Sequence, residues 1–202
     1  MNIEPIEQGK YYHIYNRGIN GTKLFNENEN YLYFLRLYEK YIEPIAETFA
    51  WCLMGNHFHL LVYIKTTDEI IPEKLSYSTV ETPKIINASK QFAHMFNSYS
   101  QSFNKKYRRT GGLFETPFER KNVNNMTYFR TLIFYIHYNP VHHGFCERLQ
   151  DYPWSSYGSV ISIKPTKIKR EKIIGYFDSV GNFIDYHKQQ HDFNDMRDML
   201  FD

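Results

Sequence analysis

Apolar and polar positions alternate along the chain with two different periods, and the order of those periods predicts the fold. Lys10 to Asn16 (Lys-Tyr-Tyr-His-Ile-Tyr-Asn) is rich in aromatic residues that favour strands, and Arg17-Gly18 and Asn20-Gly21 break it. From Asn28 to Ile42, the residues Tyr31, Phe34, Leu35, Tyr38 and Ile42 recur at helical spacing until Glu43-Pro44 ends the run. Thr48 to Met54 reads as a second strand and His57 to Ile64 as a third, and Gly55-Asn56 between them predicts a hairpin. Lys65 to Lys84 is polar, contains Pro72 and Pro83, and reads as a long connecting loop. Ile85 to Tyr107 predicts a helix with Phe92, Met95, Phe96, Tyr99 and Phe103 on one side, broken by Thr110-Gly111-Gly112. Leu113 to Val123 predicts a fourth strand, interrupted or edged at Pro117. Thr127 to Tyr138 predicts an apolar helix that Asn139-Pro140 closes or kinks.

The order strand, helix, strand, strand, helix, strand, helix predicts an α+β fold. Its pattern is the ferredoxin-like βαββαβ unit, an antiparallel sheet with helices mainly on one face and the other face free to carry a site. Beyond Pro165 the chain predicts a helical C-terminal tail, with short helices near 170–177 and 182–190. The expected division is therefore a main domain over 1–160 and a C-terminal helical extension over 161–202. No internal repeats interrupt this reading.

Composition adds bounds. At 202 residues, with 42% hydrophobic and 23% charged residues, the chain suits one globular domain with additions. Aromatic residues reach 18%, enough to fill a core and still offer stacking surfaces for bases. A net charge of +2 does not by itself announce a polyanion binder. The distribution says more: Lys105-Lys106-Tyr107-Arg108-Arg109, Arg120-Lys121, and five basic residues between Lys164 and Lys172 form clusters that read either as solvated faces or as phosphate contacts. Cys52 and Cys146 form no metal motif or disulfide framework. The first residues carry no secretory pattern and no apolar run approaches a membrane span, so the expectation is a cytoplasmic protein without membrane association.

The chemistry concentrates in two places. In Met54-Gly55-Asn56-His57-Phe58-His59-Leu60-Leu61-Val62, the strand period of two puts His57 and His59 on one face and Phe58 on the other. Two neighbouring imidazoles can hold one divalent metal ion, although a structural histidine pair satisfies the same spacing. In Tyr128 to Pro140, Tyr135 and Asn139 are four residues apart and share a helix face. A tyrosine there can serve as a nucleophile toward phosphorus and an asparagine can offer a carbonyl oxygen to a metal. A core aromatic and a helix-capping asparagine fit the same residues.

Five motifs occur in order: Tyr12-His13-Ile14-Tyr15-Asn16-Arg17-Gly18, Leu53 to Val62, Gly112-Leu113-Phe114-Glu115, Tyr135-Ile136-His137-Tyr138-Asn139-Pro140-Val141, and Tyr152-Pro153-Trp154-Ser155-Ser156-Tyr157. Each is weak alone. Together, over about residues 10 to 158, they resemble the single-tyrosine HUH transposases, most of all the REP-associated tyrosine transposase branch. The resemblance implies a metal-dependent enzyme that cleaves and rejoins single-stranded DNA at hairpin-associated sites through a 5′-phosphotyrosine. It implies His57, His59 and Asn139 as ligands of Mg²⁺ or Mn²⁺ and Tyr135 as nucleophile, with Tyr138 as the rival tyrosine. Imidazoles suit Mn²⁺ better than Mg²⁺. Arg17, Arg108, Arg109, Arg120 and Lys121 are the candidate contacts to the DNA backbone. His142-His143-Gly144 departs from the Arg-Ala-Gly or Lys-Ala-Gly common in the family, which either removes a basic contact or supplies a titratable one. The alternatives are a domesticated hairpin-binding or nicking protein that does not mobilise itself, a non-catalytic DNA-binding protein, and a metal hydrolase unrelated to DNA. The resemblance leaves monomer and homodimer, and action in cis or in trans, both open.

Overall fold

The computed structural model describes residues 4–75 and 86–189. Four strands, β1 (Tyr11–Arg17), β2 (Ala46–Met54), β3 (His57–Ile64) and β4 (Glu119–Val123), form one sheet in the order β2-β3-β1-β4. Every neighbouring pair is antiparallel. With α1 (Asn28–Tyr41) between β1 and β2, and α2 (Ala88–Tyr107) between β3 and β4, this is the expected ferredoxin-like α+β arrangement. The fourth strand is shorter than predicted. It begins after Pro117, whose missing N–H cannot join the ladder, while Leu113 and Phe114 are buried in the core instead.

Alternation divides the sheet between two cores. Tyr12, Ile14, Phe58, Leu60 and Val62 point to one face and meet Phe34, Leu37 and Tyr38 of α1 and Phe92, Met95, Phe96 and Tyr99 of α2. Both helices bury the stripe that their sequence spacing predicts. The Asn87 side chain caps α2 by accepting from Lys90 N–H at 3.0 Å. The predicted start of this helix at Ile85, and residues 76–84 of the predicted loop before it, lie outside the described residues. The described part of that loop, 65–75, holds two 3-10 turns, Thr67–Glu69 and Pro72–Lys74.

The opposite face is not bare, as the sequence reading expected. Helix α3 (Met126–His142) covers it, packing Phe129, Leu132, Ile133 and Ile136 against Phe49, Ala50, Cys52 and Met54 of β2 and Leu61 of β3. Helices α4 (Tyr157–Ile161), α5 (Arg170–Gly175) and α6 (Val180–Lys188) add Val160, Ile173 and Phe183 to this second core. The reason is visible in composition: α3 is apolar around most of its circumference, so it must be buried on several sides at once. Nor does the helix stop at Asn139-Pro140. It runs through Pro140 to His142, so Asn139 lies inside the helix rather than at its cap. Among the described residues no helix is long and apolar enough to cross a membrane.

Candidate active site

The hairpin that carries the two histidines is fixed from both faces. Phe58 is fully buried, with its ring centroid 5.1 Å from that of Phe34 and 5.4 Å from that of Phe96. Burying such a side chain stabilises the strand position by roughly 1.5–3 kcal/mol. At the turn, the Gly55 carbonyl accepts from the backbone N–H groups of Leu24 and Phe25, and the Asn56 carbonyl accepts from Gly18 N–H at 2.8 Å. Gly18 is required there, because a Cβ would stand 1.9 Å from the Thr22 carbonyl oxygen. The anchored Asn56 accepts a hydrogen bond from His57 Nδ1 at 2.7 Å through its side-chain oxygen. The His57 hydrogen is therefore on Nδ1, and Nε2 carries the lone pair.

His57 and His59 share one face, with ring centroids 5.4 Å apart. Strand pairing sets Tyr15 opposite His59 and Arg17 opposite His57. One register step away, His13 comes diagonally onto His59: His13 Nε2 and His59 Nδ1 are 3.0 Å apart, and the rings lie 27° from parallel. Tyr15 flanks both, its centroid 4.6 Å from His13 and 5.7 Å from His59. Burial lowers the pKa of His13 to about 3, helped by Lys121 opposite it on β4. Burial first, then His143 and Arg17, lowers His57 to about 4. Burial, then the neighbouring imidazoles, hold His59 well below the usual histidine range. At neutral pH these rings are uncharged, the form in which imidazole binds a metal.

Helix α3 brings Tyr135 to this face within the same chain. Its ring stands edge-on to His59 at 5.5 Å and at 6.4 Å from His13, and it is only 4% exposed. The rival, Tyr138, points elsewhere and stacks on Phe134 at 5.1 Å. Asn139 is fully buried. Its Nδ2 donates to the Tyr135 carbonyl at 2.7 Å, and its Oδ1 has no hydrogen-bond partner. A buried amide oxygen left in that condition costs free energy unless something else engages it. Imidazole lone pairs and an amide oxygen are donors of a kind that a divalent ion accepts. Among the described residues, no group of three or more histidine, cysteine or carboxylate side chains is gathered to hold a metal.

The histidine pair opens on a cleft of about 650 Å³, lined among others by Tyr15, Arg17, Asn56, Glu119 and His143. Of the five basic candidates, only Arg17 lines it, and Arg17 is ion-paired with Glu115 at 2.8 Å. Arg120 and Lys121 point to opposite faces of β4, as neighbours on a strand must. Arg120 borders an adjoining cleft, and its guanidinium lies 3.8 Å from the Phe118 ring centroid. Lys121 takes the histidine face, opposite His13. Arg108 terminates α2 in a left-handed conformation, and Arg109 is tied to Asn104 at 2.7 Å. The cluster from Lys164 to Lys172 is partly neutralised: Lys167 pairs with Glu39 and Glu43, and Lys169 and Lys172 both pair with Glu47.

Sequence reasoning did not assign a role to His13 or see His143 at the site. The signal that could have found His13 is the alternation along β1, which sets it on the face of Tyr15 and Arg17; the strand register then puts His59 beside it. His143, the departure from the family pattern, lies with its ring 5.4 Å from that of His57.

No family model matches the chain. A protein of Haemophilus influenzae named "Putative REP-associated tyrosine transposase" is 29% identical over 114 residues, 55% of this chain and 58% of that protein, so the match spans less than two thirds of the relative. A solved structure of the REP-associated tyrosine transposase bound to a REP hairpin superposes with a TM-score of 0.58 at 15% identity, over 82% of this chain and 87% of that one. The second likeness concerns the fold.

Proposed function

We propose that this chain, similar over part of its length to a protein named a putative REP-associated tyrosine transposase and in fold to a solved one, cleaves and rejoins single-stranded DNA beside a hairpin, with Tyr135 as the nucleophile. The observation that carries this reading is the Tyr135 ring set edge-on to His59 at 5.5 Å in one chain. That contact favours action in cis. The hairpin-bound state of the structural relative supports the choice of DNA.

In this reading Tyr135 Oη, giving up its proton to solvent, attacks a backbone phosphorus. The bond to the 3′ oxygen breaks, leaving a 5′-phosphotyrosine and a 3′-OH that has taken up a proton. Attack by a second 3′-OH restores a phosphodiester and returns Tyr135 as a phenol, so the number of phosphoester bonds is conserved and no nucleotide is consumed. His57, His59 and Asn139 Oδ1 would hold Mg²⁺ or Mn²⁺, with imidazole favouring Mn²⁺. A bound ion of this kind neutralises charge that develops on the phosphate in the transition state. Asn139 also ties its helix turn to the Tyr135 carbonyl and so sets the tyrosine relative to its own amide. Arg17 lines the cleft and is the first candidate to meet a backbone phosphate there. Because Tyr135 is buried in this state, its ring must turn toward the cleft to reach phosphorus.

The test is a covalent adduct. Labelled single-stranded hairpin DNA and Mn²⁺ with the wild-type protein should give a species that survives a denaturing gel. Tyr135→Phe should give none, and Tyr138→Phe should give it undiminished. An adduct that persists in Tyr135→Phe moves the nucleophile elsewhere.

A further inference from the structure

We propose that a second cleft, beside the first, takes an unpaired base of the substrate strand: Arg120 supplies the plane on which the base stacks, and Asn97 and Gln101 read its hydrogen-bonding edge. The inference rests on the reading of the histidine cleft as a site for single-stranded DNA.

The two clefts share a wall. Asn16, Glu115, Thr116 and Pro117 line both the histidine cleft and a cavity of about 480 Å³ between α2 and the segment that leads into β4. A strand with one phosphate at the histidines therefore has room for a neighbouring base across that wall. Phe96 and Phe114 also line the second cleft and give it an apolar side that suits the flat face of a base.

Arg120 is held in place there. Its Nη1 donates to Ser89 Oγ at 3.2 Å, its Nη2 donates to the Phe118 carbonyl at 2.9 Å, and its guanidinium carbon lies 3.8 Å from the Phe118 ring centroid. One face of the guanidinium is thus covered by an aromatic ring, and the opposite face is the one left for a ligand. Among the described residues Arg120 has no ion-pair partner, whereas Arg17 is paired with Glu115 at 2.8 Å. A guanidinium plane stacks on an unpaired base, and a plane already fixed loses little freedom in doing so.

The edge of the base has its own partners. Asn97 and Gln101 lie one turn apart on one face of α2, both exposed and both lining the cleft, and among the described residues neither side chain makes a hydrogen bond. Asn104, one turn beyond Ser100, is spent within the protein: its Nδ2 donates to the Gly111 carbonyl at 2.9 Å and its Oδ1 accepts from Arg109 at 2.7 Å. A side-chain amide sets a donor beside an acceptor, which matches the edge of a base. A phosphate only accepts, and would leave both amide oxygens unpaired.

The test uses the full chain without added metal and a hairpin oligonucleotide whose unpaired tails are randomised. Sequencing the bound fraction gives the base preference at each position, and the selected strand is then titrated beside versions that lack one base at a time. One unpaired position is expected at which removal of the base weakens wild-type binding roughly 5–150-fold, the loss of one stacked base. Asn97→Leu combined with Gln101→Leu should erase the preference at that position and keep the others. Arg120→Lys, which retains the charge and loses the plane, should weaken the intact strand and leave the strand abasic at that position bound as the wild type binds it. A wild type with no base-dependent position overturns the proposal. So does a double variant that keeps every preference, or an Arg120→Lys protein that binds the intact and abasic strands in the wild-type ratio. Because Asn97 and Gln101 are exposed, the double variant reads the site even where Arg120→Lys does not fold. A Tyr135 adduct on hairpin DNA with no preference at any unpaired position sinks this site alone. A preference lost in the double variant, with no adduct on the selected strand, sinks the cleavage reading alone.

Discussion

Among the described residues, two buried histidine pairs have the same separation and different surroundings. His13 and His59 meet at 3.0 Å on the sheet, and His137 of α3 and His187 of α6 meet at 3.0 Å in the second core. Burial pushes His137 well below the usual histidine range, as it does His59. In the second pair, hydrogen bonds use all four ring nitrogens. Ser156 Oγ receives Trp51 N–H at 2.9 Å and so is left to donate its own hydrogen to His137 Nε2 at 2.8 Å. His137 Nδ1 then donates to His187 Nε2, and His187 Nδ1 donates to the Phe183 carbonyl at 2.8 Å. This closed chain fastens α6 to α3 and to β2. It leaves no nitrogen for a metal. In the first pair, one ring lines the cleft and faces the tyrosine. A buried imidazole pair is thus no metal signature by itself. What distinguishes the pairs is where they lie: one ring of the first lines the cleft, and both rings of the second are buried between helices.

The largest effect expected from this contrast is on metal binding. Replacing His57 and His59 together with alanine should remove measurable Mn²⁺ affinity and all DNA cleavage. Mn²⁺ at a thousand times its dissociation constant should stabilise the wild type by about 4 kcal/mol and leave the double variant unchanged in a thermal melt. Cleavage that survives the double replacement breaks the distinction between the pairs.

The closed pair should respond in the opposite sense. His187→Leu leaves His137 Nδ1–H without its acceptor and should cost roughly 1–3 kcal/mol in denaturant-measured stability, with Mn²⁺ affinity unchanged. If the affinity falls with the stability, the two regions are not independent.

Common to both pairs is an effect on acid sensitivity. The folded-state values of His13, His59 and His137 lie below the ordinary value, so the unfolded chain binds protons first. Stability is complete above about pH 6.5 and is lost as pH falls toward the depressed folded values, about 3 for His13. Each such ring should subtract up to about 1.4 kcal/mol per pH unit across that window. Urea midpoints at pH 7.5, 6 and 5 read this directly, and a flat profile would show that the rings are protonated in the folded state.

Much of this was legible in the sequence. The alternation through His57, Phe58 and His59 set their opposite faces, because strand geometry depends only on neighbours along the chain. Tyr135 and Asn139 share a helix face for the same kind of reason. An interruption at Pro117, after which the fourth strand begins, and the hairpin at Gly55-Asn56 followed from turn chemistry. Of the two readings of Pro140, closing or kinking the helix, closure fails, because burial on several sides of α3 carried the helix one turn further. The cluster from Lys164 to Lys172 could not reveal its ion-pair partners, since Glu39, Glu43 and Glu47 come from a distant part of the chain.

By itself, then, the sequence determined the periodicities: which elements form, in which order, and which side chains share a face within each. The tertiary structure decided what those faces meet. It set α3 over the histidine face of its own chain and drew His13 onto His59. It also sorted one histidine pair to the cleft and the other to the core. Local sterics repeat every two or four residues and can be read along a chain. The pairings that make a site join segments tens of residues apart, and they are chosen only when all the apolar faces are buried together.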